Sequence, residues 1–312
     1  MSPRLQSRLL AVSALAIFLF AVWVLQKSLA GMHWAEVQAH LHSLPAANIA
    51  LALLCVAASY GALSGHDWLA LRFVGARIPW HQLAPTSFIA CAIGQNLGMT
   101  PLTAGAVRLH GYRRLGLSTA QVGGVVAFCA ITFGLGVNLL LNISLWLAPE
   151  TAAQVLGISI AGVRTLGLCT LLGLAGWFWL TLGRRDRPFT LGGHRFSPPT
   201  ARVTSRQLLV GAADLTASAA ALYCLMPDLA GLGFLAFLGS YVLAMAAGIF
   251  SSVPGGLGVF ESVLLLTLPT APQAEVIGAA LAFRACYFLL PFMLAMLWLA
   301  AREFPRWRRS RA

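Results

Sequence analysis

The sequence predicts an all-α fold, a polytopic membrane helical bundle with about eight crossings and broken or re-entrant helices, in a single domain over residues 1–312. Hydrophobic residues make up 59% of the chain, charged residues 10%, and the mean hydropathy is +0.80. A soluble domain carries about 25% charged residues. Long apolar runs between short arginine-rich loops are instead typical of a chain that crosses a membrane many times.

The excess of basic residues is explained by membrane topology. The chain carries 21 lysines and arginines against nine carboxylates, a net charge of +12. Cytoplasmic loops of membrane proteins are enriched in these residues, so the basic ends predict that both termini are cytoplasmic. The same charges attract anionic lipid headgroups. No contiguous basic domain is present to follow a phosphate backbone, so nucleic acid is not an expected partner.

Neither the cysteines nor the histidines predict a metal site, and no cofactor is expected. The six cysteines stand alone in apolar surroundings without CxxC spacing, as small core hydrophobes do. Three histidines, His33, His40 and His42, fall in an amphipathic segment at residues 33–44. A solvated polar face on a helix at the membrane interface is favoured there over metal binding.

The predicted elements follow from the basic residues that separate the apolar runs. The first span, residues 9–26, comes after Arg4 and Arg8 and is interpreted as retained, because no convincing cleavage site follows it. The interfacial helix at 33–44 comes next. Further spans are predicted at 47–74, 119–147, 163–182, 208–225, 232–250 and 276–301, with a basic cytoplasmic loop at 183–207 and a short helix at 257–268.

A re-entrant hairpin is predicted at residues 88–108. This segment is apolar, but three glycines and a proline interrupt it, and Asn96 adds a hydrogen-bonding group. It lies between Arg77 and Arg113, which should both be cytoplasmic, so an even number of crossings must separate them. A hairpin that enters and leaves from the cytoplasmic side meets this condition and places Arg108 at its mouth.

A second break is predicted near the C-terminus, at residues 248–261. A proline and several glycines, among them Gly255 and Gly256, should end any regular helix there. Broken backbone at membrane depth is tolerated only where protein buries it or it lines a wet cavity. Glu261 follows at once, so we interpret the stretch as a site for a polar ligand. A surface loop with a solvated glutamate is the alternative.

Arg284 lies well inside the last span and shares a helix face with Tyr287. A guanidinium at that depth costs about 2.5–3.5 kcal/mol on insertion scales, so it needs an anionic partner. Glu261, Asp214 in the span at 208–225, and a lipid phosphate are the candidates. A buried pair that only fixes helix register is the other interpretation.

One further ionisable pair, His66 and Asp67, lies within a predicted span. The pair could relay protons or extend its polar ends to the interface, and the sequence leaves both open. No Ser/His/Asp order, HExxH motif or pair of catalytic carboxylates occurs at usable spacing elsewhere. The chain is therefore expected to act without covalent chemistry.

The motifs resemble the membrane domain of the lysylphosphatidylglycerol synthase/flippase family (multiple peptide resistance factor). The resemblance covers about residues 88–291 and is carried, in chain order, by Gly94–Gly98, Gly105–Arg108, Gly116–Ser118, Ala213–Ala217, Leu222–Pro227, Val253–Glu261 and Phe283–Pro291. This sequence departs from the family pattern at Ser252, where family members often have histidine, and at Phe283, where they often have tyrosine. The resemblance implies a bacterial inner-membrane protein that moves aminoacylated phosphatidylglycerol to the outer leaflet. The cytosolic aminoacyltransferase domain of full-length members is not found here, so synthase activity is not expected.

The expected ligand is therefore the headgroup of an anionic or aminoacylated membrane phospholipid. Arg108 and Arg284 would hold the phosphate, while Glu261 and Asp214 would meet an amino group or the arginines, all facing one polar cavity. Further contacts are expected from Asn96, Tyr287 and the backbone around Gly255 and Gly256. Two alternatives stay open: a non-transporting subunit that docks a separate synthase through residues 184–206, and an intramembrane lipid-modifying enzyme. The sequence does not decide the oligomeric state.

Overall fold

The structure, a computed structural model, describes residues 34–97, 100–183, 189–191, 194–196, 199–227, 229, 232–251 and 256–309. Over these residues the chain is a bundle of α-helices, which confirms the predicted fold class. The predicted first span at 9–26 and Gly255 in the second break lie outside the described residues.

Twelve α-helices and one short β-hairpin are present in the described ranges. The helices are α1 (Trp34–Ser43), α2 (Ala46–Phe73), α3 (Trp80–Leu97), α4 (Thr100–Arg113), α5 (Thr119–Leu147), α6 (Pro149–Leu156), α7 (Ile160–Gly183), α8 (Ala201–Leu225), α9 (Phe234–Phe250), α10 (Val259–Thr267), α11 (Gln273–Arg284) and α12 (Leu290–Arg309). A π-helical turn, Ala285–Leu289, joins α11 to α12. The antiparallel strands β1 (Phe189–Leu191) and β2 (His194–Phe196) pair Phe189 with Phe196.

Five helical segments of the described chain are long and apolar enough to cross a membrane. They are α2, α5, α7, α8 and the continuous run at 273–301, and α9 is a shorter apolar helix. These segments confirm a polytopic membrane protein, and α5 has the bounds predicted from the sequence. Ser118 explains where α5 begins, because its hydroxyl accepts a bond from the Gln121 amide at 3.2 Å while the Gln121 side chain accepts from the Ser118 amide.

The predicted hairpin is present as two helices, α3 and α4, which pack along one another. The chain is helical through Gly94 and Gly105, so these glycines do not interrupt it as the sequence suggested. Gly105 faces α5, where a Cβ would stand at an ordinary contact distance of 3.5 Å from the Val126 side chain. The structure describes α3 as far as Leu97 and α4 from Thr100. The membrane face from which the hairpin enters stays a prediction.

Two connections differ from the sequence interpretation. The connection between the predicted spans at 119–147 and 163–182 contains the short helix α6, which Pro149 begins and Gly157 ends with a left-handed conformation. The basic loop is shorter than predicted, because α8 starts at Ala201. Its cap is Thr200, whose hydroxyl accepts from the Val203 amide at 3.4 Å.

The centre of the bundle is the contact of α8 with α2 and α5. Gly136 of α5 and Gly211 of α8 let two backbones touch, since a Cβ on Gly136 would lie 2.6 Å from the Gly211 carbonyl carbon. Small residues at a crossing are how membrane helices gain close packing without a hydrophobic driving force. This crossing fixes α8 against its neighbours and so positions Asp214, one turn further along.

Candidate functional site

Arg284, at the end of α11, forms an ion pair with Glu261, at the start of α10. The Glu261 Oε1 atom accepts from Arg284 Nε at 2.7 Å and lies 2.7 Å from Nη2. Both side chains keep some exposure, 13% for the arginine and 12% for the glutamate. The sequence analysis named two in-membrane carboxylates, Glu261 and Asp214, as candidate partners for Arg284. The structure pairs Arg284 with Glu261.

The glycine-rich break positions this glutamate. Gly256 and Gly258 have φ values of +60° and +79°, which only glycine adopts readily. A side chain at Gly256 would also bring its Cβ within 3.1 Å of the Gly248 Cα, at the end of α9. The turn lets Glu261 reach back, and its Oε2 accepts from the Gly258 amide at 2.9 Å. A carboxylate there also meets the positive end of the helix dipole of α10.

A second set of polar side chains lies near the midpoints of three membrane-spanning segments. Ser59 of α2 donates to Asp214 Oδ1 of α8 at 2.5 Å, and its oxygen stands 2.8 Å from the Tyr287 hydroxyl. All three residues are buried. Tyr287 is one helical turn beyond Arg284, so this network and the Arg284–Glu261 pair share one helix. We call these five residues the midspan cluster.

The π-helical turn beside this cluster leaves carbonyl groups that other helices satisfy. Pro291 has no amide hydrogen, so the Tyr287 carbonyl four residues earlier loses its usual donor. The Tyr60 hydroxyl bonds that carbonyl at 3.2 Å. The Asn96 side-chain amide donates to the Phe288 carbonyl at 3.0 Å and to the Ala92 carbonyl. Asn96 thus ties the hairpin to the last span through backbone groups.

Arg108 belongs to a different cluster, built around Asp67. The arginine donates from Nε to both carboxylate oxygens at 3.1 Å and from Nη2 to Oδ1 at 2.8 Å. Tyr112 and Cys129 donate to the same carboxylate. Asp67 has no exposed surface. These four residues, the Asp67 cluster, join α2, the hairpin and α5.

The structure therefore divides the predicted site residues between two places. In the midspan cluster Arg284 pairs with Glu261, and Tyr287, one turn further along, is linked to Asp214 through Ser59. Gly256 lies in the turn before Glu261, and Asn96 contacts the Phe288 carbonyl. Arg108 does not join them, because Asp67 lies eight residues beyond Ser59 on α2, about 12 Å along the axis. Whether any of these residues binds a headgroup stays a prediction.

Sequence reasoning missed several members of both clusters. It treated Asp67 only as the neighbour of His66, whereas the structure pairs Asp67 with Arg108; His66 is buried, and its Nε2 has no hydrogen-bond partner among the described residues. Ser59 and Tyr60 were not singled out. A small signal was available, since each is a polar residue inside an apolar span, and such residues usually bond another helix.

Two clefts in the described part of the bundle lie away from both clusters. One, of about 330 Å³, is between α5 and α9 and is lined mainly by apolar residues, four of them leucines, with Ser144. The other, of about 420 Å³, lies on α4 beside His110, Arg113 and Arg114. The midspan cluster is packed by aromatic rings, including Phe283 stacked on Tyr287 at 5.0 Å between centroids.

Comparison with known proteins identifies the family. The model of the lysylphosphatidylglycerol synthase TM region matches residues 10–295. The chain belongs to this family. The resemblance seen in the motifs is thereby confirmed.

Relatives of this family member differ in length. A protein of Synechocystis sp., slr0712, is 30% identical over 95% of this chain and 92% of its own length. The inner membrane protein YbhN of Escherichia coli is 25% identical over 85% of this chain and 83% of its own. The phosphatidylglycerol lysyltransferase of Staphylococcus aureus is 23% identical over 93% of this chain, which spans only 34% of that protein.

Proposed function

We propose that this chain moves a phospholipid, phosphatidylglycerol or an aminoacylated form of it, between the leaflets of a bacterial inner membrane. The observation that carries the proposal is the Arg284–Glu261 pair, which is partly exposed and lies where two helices break. A lipid phosphate can replace the Glu261 carboxylate, because both anions match the guanidinium fork. The lipid class and the compartment are inferred from the names of the relatives.

Arg284 and Arg108 have different roles in this proposal. Arg284 meets the phosphate, and Glu261, once displaced, is free to attract the amino group of an aminoacylated headgroup. Asn96, Tyr287 and the backbone near Gly256 shape the site around the headgroup. Arg108 would become available to phosphate only if Asp67 released it, so it acts as a second contact after the hairpin moves.

Lysine at position 284 tests the proposal. Arg284→Lys keeps the charge but loses the fork, and one lost charge-assisted hydrogen bond of about 1.5–3 kcal/mol corresponds to a rate reduced roughly tenfold or more. The measurement is outer-leaflet exposure of fluorescent phosphatidylglycerol in vesicles that contain the purified protein. Arg77→Lys, at an exposed arginine, is the matched control and should keep the wild-type rate.

A charge swap separates binding from structure. If Arg284 serves only to hold Glu261, Arg284→Glu combined with Glu261→Arg should restore both folding and transport. We expect the swap to restore protein level at most, with transport still lost. Full transport in Arg284→Lys, or in the swapped protein, would refute phosphate binding at this residue.

A second candidate function is a membrane subunit for a separately encoded lipid aminoacyltransferase. This candidate is favoured by the match to the phosphatidylglycerol lysyltransferase of Staphylococcus aureus, because the chain spans only 34% of that protein. Co-purification of a soluble aminoacyltransferase, together with no lipid movement by the chain alone, would favour this candidate over transport.

A further inference from the structure

Asp214 is a buried carboxyl group without a cationic partner in the described part of the chain. It is 2% exposed, and its hydrogen bond comes from the Ser59 hydroxyl. The ion pairs formed by described residues join Arg108 to Asp67 and Arg284 to Glu261, and neither includes Asp214. Charged groups inside a membrane are usually paired, so an ionised Asp214 would be an exception.

Among the described residues, the titratable groups around Asp214 are three phenols and one thiol. Those close enough to sense its charge come from α2, α3, α9 and the π-helical turn. They are Tyr60, Cys91, Tyr241 and Tyr287. None of these side chains is cationic, so none can compensate a carboxylate near the midpoint of the bundle. A bound proton removes this cost.

A proton fits this site better than a metal ion. No group of three or more His, Cys, Asp or Glu side chains in the described part of the chain is placed to hold a metal ion. A proton needs only the Asp214 carboxyl group and leaves its hydrogen bond with Ser59 in place.

We propose that Asp214 is a proton-binding site and that its protonation is coupled to lipid movement. The coupling rests on the proposed function. Ser59 and Tyr287 connect Asp214 to the π-helical turn, which Arg284 precedes. When the carboxyl O–H bond breaks, the proton passes to water on the side to which the site is open. The carboxylate left behind attracts the Ser59 and Tyr287 hydroxyls and so changes the hydrogen bonds beside the π-helical turn, and a proton taken up from the other side reverses this change.

Infrared spectroscopy tests the proton site without any lipid. Purified wild-type protein should show the C=O stretching band of a protonated, buried carboxyl group near neutral pH. Asp214→Asn, which keeps the volume and the acceptor for Ser59, should lose this band. Glu150→Gln, at an exposed carboxylate of α6, should retain it. Identical spectra for wild type and Asp214→Asn overturn the proton site, whether or not lipid moves.

The coupling is tested in vesicles of phosphatidylethanolamine and phosphatidylglycerol. Fluorescent phosphatidylglycerol reports lipid movement and a trapped pH dye reports protons. In wild type, lipid movement should respond to the direction of an imposed pH gradient and carry a proton signal; Asp214→Asn should lose both responses, and Glu150→Gln should lose neither. Wild-type movement that ignores the gradient overturns the coupling. Absence of lipid movement in wild type refutes the proposed function and the coupling with it, while the infrared band still decides the proton site.

Discussion

Two arginine–carboxylate pairs in this bundle have the same chemistry but different surroundings. Asp67 accepts hydrogen bonds from Arg108, Tyr112 and Cys129 and has no exposed surface. Among the described residues, Glu261 accepts from Arg284 and the Gly258 amide, and it keeps 12% exposure. The first carboxylate is surrounded by protein donors, so it fixes the position of the hairpin. The second can exchange its partner for an incoming anion.

Breaking the buried pair should therefore destabilise the protein. Asp67→Asn leaves Arg108 charged and buried without its counter-ion, which costs about 3–5 kcal/mol in soluble proteins. The free energy of unfolding, measured by denaturant titration in detergent micelles, should fall by an amount of that order. Glu261→Gln is the matched comparison and should cost less, because its pair is partly hydrated.

The neutral pair Asp67→Asn with Arg108→Gln should recover part of the loss, since no uncompensated charge is left. Equal stability of Asp67→Asn and wild type would contradict the role given to the Asp67 cluster. So would a larger loss from Glu261→Gln.

At the scale of elements, the π-helical turn couples the last span to two other helices. Pro291 has no amide hydrogen to donate to the Tyr287 carbonyl, and the hydroxyl of Tyr60 donates to that carbonyl instead. The Asn96 side-chain amide donates to the next carbonyl, that of Phe288. The turn is thus held by side chains from α2 and α3, and the Tyr60 ring also packs against the rings of Phe88 and Tyr287. Such turns are frequent at functional sites.

A double-mutant cycle tests this compensation. Tyr60→Phe should cost about 1–2 kcal/mol of unfolding free energy in the wild-type background, because it leaves a buried carbonyl unpaired. In Pro291→Ala the new amide can bond the Tyr287 carbonyl, so Tyr60→Phe should then cost much less. Tyr223→Phe is the control, because its hydroxyl bonds the Leu232 carbonyl far from the turn. Equal costs of Tyr60→Phe in the two backgrounds would argue against the compensation.

For the whole molecule, hydrophobicity and arginine position were sufficient to predict the main spans. The observed bounds of α5 are those predicted, and the bounds of α2 differ from the prediction by one residue at each end. Both helices are long apolar runs flanked by residues that mark the end of a membrane span. The glycines of the hairpin were over-interpreted as breaks. In a packed bundle, glycine costs about 1 kcal/mol in a helix, and close packing can offset that amount.

The candidate site was predictable only in part. Glu261 was one of three candidate partners for Arg284, with Asp214 and a lipid phosphate, because a charge inside a span needs an opposite charge; the packing of the helices selects Glu261. Arg108 was assigned to the same place because the sequence contains no information about distance between spans. Asp67 was the nearer partner, and only the packing of α2 against the hairpin shows this.

The last prediction concerns the topology of the α3–α4 hairpin. Arg77 precedes α3 and Arg113 ends α4, and both are exposed. If the hairpin enters and leaves through one face, the two positions lie on the same side of the membrane. Arg77→Cys and Arg113→Cys, in a background with the exposed Cys169 replaced by serine, should react with an impermeant maleimide from the same side. Glu150→Cys, beyond the membrane-length helix α5, should react from the opposite side and serves as the control. Labelling of positions 77 and 113 from opposite sides would show that the hairpin crosses the membrane, and Arg108 would then not lie at a cytoplasmic mouth.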